Sequence, residues 1–195
     1  MRLLDEAIAA HGGRERFAAL ERLRLRLTVG GLAWPVRGMR APFELDATVE
    51  LHRPAVAFAG LPEVDLAARP RFGLRWSAYE QAWFCAMALW NYTTLPWLLE
   101  RCEVEELPGR RVRARFPAGV PTHSPVQTFH LDDAGRIARH DYTATAFGRW
   151  AAAQHRSTDF QTFGGLVLAT RRRVTPRGLP LPVLVSIAVH DGEVC

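Results

Sequence analysis

Between positions 22 and 29 the chain alternates strictly, with Leu23, Leu25, Leu27 and Val29 set against Arg22, Arg24, Arg26 and Thr28. A period of two sends alternate side chains to opposite faces, so this is a strand with one apolar and one charged face. The pattern returns at 43–51, where Phe43, Leu45, Ala47, Val49 and Leu51 interleave with Glu44, Asp46, Thr48 and Glu50. Residues 55–61, bounded by Pro54 and Pro62, predict another strand, and 71–76 a further one. Ahead of these strands Leu4, Ala7, Ile8 and His11 keep a helical spacing that Gly12-Gly13 stops. A second short helix is expected near 14–20.

The period changes between 79 and 101. Apolar residues there are too continuous for a half-buried strand, and the length favours helix. Pro96 should break it, giving one helix to about Trp90 and a shorter one after Thr94. Trp83, Trp90 and Trp97 recur every seven residues and would face one way. A helix this apolar has to be covered on most sides, which a curved sheet closing around it would do. The second half reads as a meander, with strands near 111–116, 125–131, 136–144, 150–161, 166–174 and 183–190. Its turns are Asp132-Asp133-Ala134-Gly135, Phe147-Gly148 and Gly164-Gly165. The class is therefore α+β, mainly antiparallel β: a strongly curved open sheet with short helices. No repeat or linker divides the chain, so 1–195 is expected to be a single domain.

Composition narrows the chemistry. All 25 basic residues are arginine, which removes lysine Schiff bases, lysine general bases and the lysine of a phosphate loop. The net charge of +5 is spread along strand alternations such as Arg111, Arg113 and Arg115, as on the solvated face of a half-buried sheet, so nucleic acid is not an expected partner. Arg171-Arg172-Arg173 lies within a strand pattern and must split between its two faces. Three scattered cysteines, Cys85, Cys102 and Cys195, fit a reducing compartment better than a disulfide framework. Acidic residues follow Met1 where a secretory segment would be apolar, and no window is apolar enough to span a membrane. The expectation is a cytoplasmic chain without stable membrane insertion; oligomeric state is not readable.

Pairing across the expected turns gathers candidate site residues. With Leu131 opposite Arg136, Gln127 falls opposite His140, and His140 then falls opposite His155. Tyr142, Ser157, Asp159, Thr170 and Arg172 project from the same face, which also carries Phe129. A His–Asp or His–Tyr pair there could move protons near neutral pH, so His155, Tyr142, Asp159 and His140 are the acid–base candidates. Parity says which residues share a face, but not whether that face is the concave or the solvated one. His123, between Thr122 and Ser124-Pro125, is either a rim residue or a turn residue held by prolines. Asn91, Tyr92 and Thr94 either finish a helix or line a pocket mouth. His140, His155 and Asp159 could in principle form a facial metal triad, but no HxH or HExxH spacing accompanies them and no metal is expected. Cys85 lies in the most apolar stretch, where an inert thiol is the default. Without a GxSxG elbow or a glycine-rich phosphate loop, no cofactor is expected.

Ala10-His11-Gly12-Gly13, a short helix and a Leu-rich alternation resemble the start of domains related to the bacterial lipoprotein carriers of the Lol type. Leu89-Trp90-Asn91-Tyr92-Thr93-Thr94, Thr122-His123-Ser124, His140-Asp141-Tyr142 and Thr170-Arg171-Arg172-Arg173 resemble a group of bacterial proteins thought to share that half-barrel fold. The resemblance implies an incomplete antiparallel barrel with helices against its concave side and an apolar pocket between. It differs from the carriers in lacking an export signal and a lipid-attachment cysteine near its start, and in a short stretch around 60–76. Two functions follow as expectations. One is binding of a small apolar molecule between the sheet and the Trp-rich helices, lined by Trp83, Trp90, Asn91, Tyr92, Gln127, Phe129, His123 and Arg172. The other is a cofactor-free isomerase, cyclase or lyase using the acid–base candidates.

Overall fold

The computed structural model describes residues 2–195. Its frame is one antiparallel sheet of ten strands. The first three are β1 (Arg22–Gly30), β2 (Phe43–Glu50) and β3 (Ala55–Phe58). After a helix come β4 (Glu103–Leu107), β5 (Arg111–Arg115), β6 (Val126–Leu131), β7 (Ile137–Thr143), β8 (Ala152–Phe163), β9 (Leu166–Pro176) and β10 (Val185–Val194). The spatial order is β3-β2-β1-β10-β9-β8-β7-β6-β5-β4, so nearly every strand pairs with its sequence neighbour and β10 returns to β1. β3 and β4 remain free edges, and the sheet is curved but open.

Helices α1 (Arg2–Ala10), α2 (Arg14–Ala18), α3 (Ala33–Val36) and α4 (Ala78–Thr94) complete the fold, with a 3₁₀ turn at Trp97–Arg101 after Pro96. α4 links β3 at one edge to β4 at the other. Its 17 residues, rising about 1.5 Å each, span about 25 Å and lie in the hollow of the sheet. Every residue from Gln81 to Leu99 is buried, which accounts for the unbroken apolar run. A capping box starts the helix: the Glu80 amide donates to Ser77 Oγ (3.2 Å), and the Glu80 carboxylate accepts the Ser77 amide (2.8 Å).

The inward face of β1 supplies Leu23, Leu25, Leu27 and Val29, all buried, and its outward arginines meet acids on neighbouring strands. Arg22 reaches Glu50 (2.8 Å) and Arg24 reaches Glu193 (3.2 Å), while Arg113 reaches Glu105 (3.2 Å) across β4 and β5. Much of the basic stripe is thus neutralised locally on the outer surface.

Several local expectations change. Residues 71–76 form no strand; they belong to the loop that leads into the capping box, where Trp76 packs against Phe72 and Phe84. β4 was not anticipated, because Glu103, Glu105 and Glu106 leave Val104 and Leu107 as its only apolar residues. α3 was missed too, since four residues hold too little periodicity to register. The β6–β7 register shifts by two, so His140 faces Phe129 and not Gln127: the turn is one residue longer than expected, with Leu131 facing Ile137, and a bulge at Ala138 adds a second. A shift of two keeps parity, so the inward set is unchanged.

α1 docks on the end of the sheet through His11. Its Nδ1 donates to the Val167 carbonyl (2.6 Å) and its Nε2 accepts the Ile137 amide (3.1 Å), which sets the tautomer and ties the helix to β7 and β9. Gly12 follows at φ 117°, and a Cβ there would sit 2.3 Å from the Gly165 carbonyl oxygen. Both backbone conformation and space therefore require glycine. Gly12→Ala should lose more than about 1 kcal/mol of unfolding free energy in urea titrations, whereas the same change at Gly13, which has open space around it, should lose less.

Candidate ligand site

The concave face of β7 presents His140 and Tyr142, that of β8 presents His155 and Ser157, and that of β9 presents Arg172. α4 lowers Tyr92 onto them, and the loop before β6 adds His123. Five rings meet here. His140 and His155 lie 4.4 Å apart between centroids, and His123 stacks on Tyr142 at 4.4 Å. His140 stacks on Tyr142 at 4.9 Å, and Tyr92 meets His155 edge-on at 4.7 Å. Arg172 lies over the Tyr92 ring at 4.7 Å and donates to Ser157 Oγ (3.1 Å) and to the Tyr92 carbonyl (3.3 Å).

Aromatic contact satisfies the ring faces but leaves several nitrogens unpaired. His123 Nε2 is 2.9 Å from the Tyr92 hydroxyl. By contrast, among the described residues His123 Nδ1, His140 Nδ1 and both nitrogens of His155 have no partner, although His155 has 0% exposure. Burial drives the histidines toward the neutral form: His123 falls to about 3, helped by Arg69, and His140 and His155 fall well below 6.5, with neighbouring histidines and Arg172 adding to the effect. Tyr92 and Tyr142 are pushed up by burial. Burial pulls the Arg172 guanidinium down to about 10.

Beside this cluster, α4 and the sheet leave an apolar cleft. Phe84, Cys85, Ala88, Leu89 and Tyr92 form its helix wall, and Leu27, Val29, Leu45, Val174, Val185 and Ile187 its sheet wall. Its free volume is about 30 Å³. A smaller hollow bounded by Leu25, Phe163, Leu168 and Arg172 adjoins it, sharing Leu89, Tyr92 and Ile187. The Cys85 thiol is held protonated by burial.

Not every candidate joins this site. Asp159 does not: with φ 54° its backbone leaves the regular pleat, its side chain is 65% exposed, and it faces Arg171 at 3.9 Å. Regular alternation does not reveal such a departure, and both the expected His–Asp pair and the facial triad fail with it. Among the described residues no group of three metal-ligating side chains converges. Trp83 and Trp90 do share a side of α4, but it is the side opposite Leu89 and Tyr92. Trp83 donates to the Asp65 carbonyl (3.0 Å) and packs on Phe72, and Trp90 lines a separate groove beside α2. Their spacing conveys common direction but not which neighbour they meet. Asn91 is consumed by the Met87 and Pro121 carbonyls (2.8 and 2.7 Å), and Gln127 by Thr122 and Ser124. Phe129 packs on His140 at 5.5 Å. The sheet wall was hidden among ordinary strand positions; the Leu27–Val29 alternation was its only signal.

An open, curved antiparallel sheet with a buried helix in its hollow defines the Lol-type carrier-like fold. The full chain aligns (100%) with 92% of a LolA superfamily protein from Nitrosomonas europaea at TM-score 0.53 and 9% identity. It also aligns over 99% of its length with 92% of a DUF1329 family protein from Desulfovibrio piger, at TM-score 0.51 and 10% identity. No protein-family description and no curated protein matches the chain.

The depressed histidines make stability fall in acid. Above their unfolded value near 6.5 both states hold neutral rings and the groups contribute no pH dependence. Below it the unfolded chain takes up protons that His123, His140, His155 and His11, itself lowered to about 4 by burial, refuse while folded. Each removes about 1.4 kcal/mol per pH unit until its folded pKa is reached. Urea unfolding between about pH 7 and 4 should show this decline, and His155→Phe should flatten it by about one proton.

Proposed function

We propose that the chain holds a small, largely apolar molecule in the cleft between α4 and the concave sheet. The observation that carries this reading is the position of the cleft: it lies between α4 and the concave sheet, its walls are aliphatic and aromatic, and Tyr92 and Tyr142 of the ring cluster form part of its lining. Binding sites combine apolar walls with a few placed polar groups in this way. Burying a guest's hydrocarbon contributes about 0.8 kcal/mol per methylene, so a short chain suffices for useful affinity. The space is narrow in this structure, so a guest is admitted as Leu89 and its neighbours yield and α4 moves off the sheet. Carrier-like folds with a helix in the hollow offer this geometry, and the resemblance supports the reading at the level of the fold.

Acid–base catalysis is less well supported. It needs a group poised near neutrality, yet burial moves all three imidazoles away from it and the only candidate carboxylate, Asp159, points outward. Three free thiols are compatible with residence in a reducing compartment.

The neutral fluorophore N-phenyl-1-naphthylamine provides the test. Wild-type protein should raise its emission saturably, and Leu89→Trp, which fills the part common to both hollows, should weaken that uptake at least about tenfold while circular dichroism stays unchanged. Uptake that is absent from the wild type, or indifferent to Leu89→Trp, would overturn the proposal.

A further inference from the structure

Arg172 is inconsistent with a purely apolar guest. Of its run of three arginines it is the one whose side chain turns inward, between the exposed Arg171 and Arg173. Inside, its guanidinium meets a hydroxyl, a carbonyl and a ring face, and among the described residues no carboxylate pairs with it. Several other arginines pair with acids, as Arg139 does at Asp141 (2.7 Å) and Arg136 at Asp132 (2.9 Å). An arginine carries five N–H donors in a planar fork, and only two bonds are made here. Arg172 is half-buried, and a cation drawn partly out of water without a counter-ion is favoured where something supplies the opposite charge.

The groups around it are biased the same way. His155 and His140 are neutral and fully enclosed, so each has one N–H to give, and neither nitrogen of His155 is used. The Tyr92 and Tyr142 hydroxyls are held protonated. The cluster therefore contains many donors and no anionic acceptor. Arg172 borders the smaller hollow, which shares the Leu89, Tyr92 and Ile187 walls with the longer apolar cleft.

Resting on the reading that this cleft takes a guest, we infer that the guest is a monocarboxylate amphiphile whose head pairs with Arg172, close to His155, and whose hydrocarbon tail runs between α4 and the sheet. A planar carboxylate matches the arginine fork in two parallel hydrogen bonds.

Decanoate and decanol share a chain and differ in the head, and each can be titrated against bound N-phenyl-1-naphthylamine near neutral pH. Decanoate should displace the dye from wild type at a concentration at least about tenfold lower than decanol does, the discrimination expected of a charge-assisted pair. Arg172→Met should bring the two within about twofold by weakening decanoate alone, and Arg172→Lys, which keeps the charge but not the fork, should retain a reduced preference. Should Arg172→Met fail to fold, the wild-type comparison and Arg172→Lys decide. Equal displacement by both compounds in wild type would overturn the carboxylate assignment and leave the apolar cleft standing. Dye binding that neither compound competes with would overturn the assignment and place the dye elsewhere, whereas a wild type that binds no dye removes the underlying reading itself.

Discussion

The chain leaves its sheet at one edge, β3, and rejoins it at the far edge, β4, and the connection runs through the hollow between them. That single crossing governs the rest of the molecule. α4 has no solvent-facing side over most of its length, so it is apolar all round and needs the sheet to curve about it. The sheet in turn has a filled concave face because the helix occupies it. Removing either would expose the other's apolar surface, so the two depend on each other for burial.

Within that mutual burial the polar residues stand out. Most buried polar groups in native proteins are paired, and here Asn91, Gln127, Thr93, Thr94 and His11 follow the rule with specific backbone or side-chain partners. They are structural, and they make the exceptions easier to recognise. Among the described residues His155 has two unpaired nitrogens and Arg172 has no acid; both pack on Tyr92, and Arg172 borders the smaller hollow. Single unpaired nitrogens also occur at Arg37, Trp76 and Trp90; what distinguishes this region is that four imidazole nitrogens lack partners within one ring cluster.

The ring cluster also explains why residues that invite a catalytic reading are poorly matched to it. Imidazoles stacked on tyrosines and on one another, with a guanidinium nearby, have every reason to remain uncharged. Their use is as neutral donors and as a polar surface within an apolar interior. Asp159, which would have changed this electrostatic balance, leaves the concave face through a left-handed backbone step just before the β8–β9 hairpin.

Much of this fold can be read from the chain alone. Period-two alternation found β1 and β2, the glycine pairs and the Asp132 turn placed the hairpins, and the apolar run around Trp83 announced a helix needing cover. Parity brought His140, Tyr142, His155 and Arg172 onto one face even though the β6–β7 register was off by two, because a two-residue shift preserves the face. These features are local, and each is set by the pleat or the helical turn. Which face is concave, which side of α4 looks toward it, and whether Asp159 keeps the pleat depend on contacts between segments distant in sequence. Trp83 and Trp90 show the limit most clearly: their heptad spacing guarantees that they point together, and only the packed structure decides that they point away from the cleft.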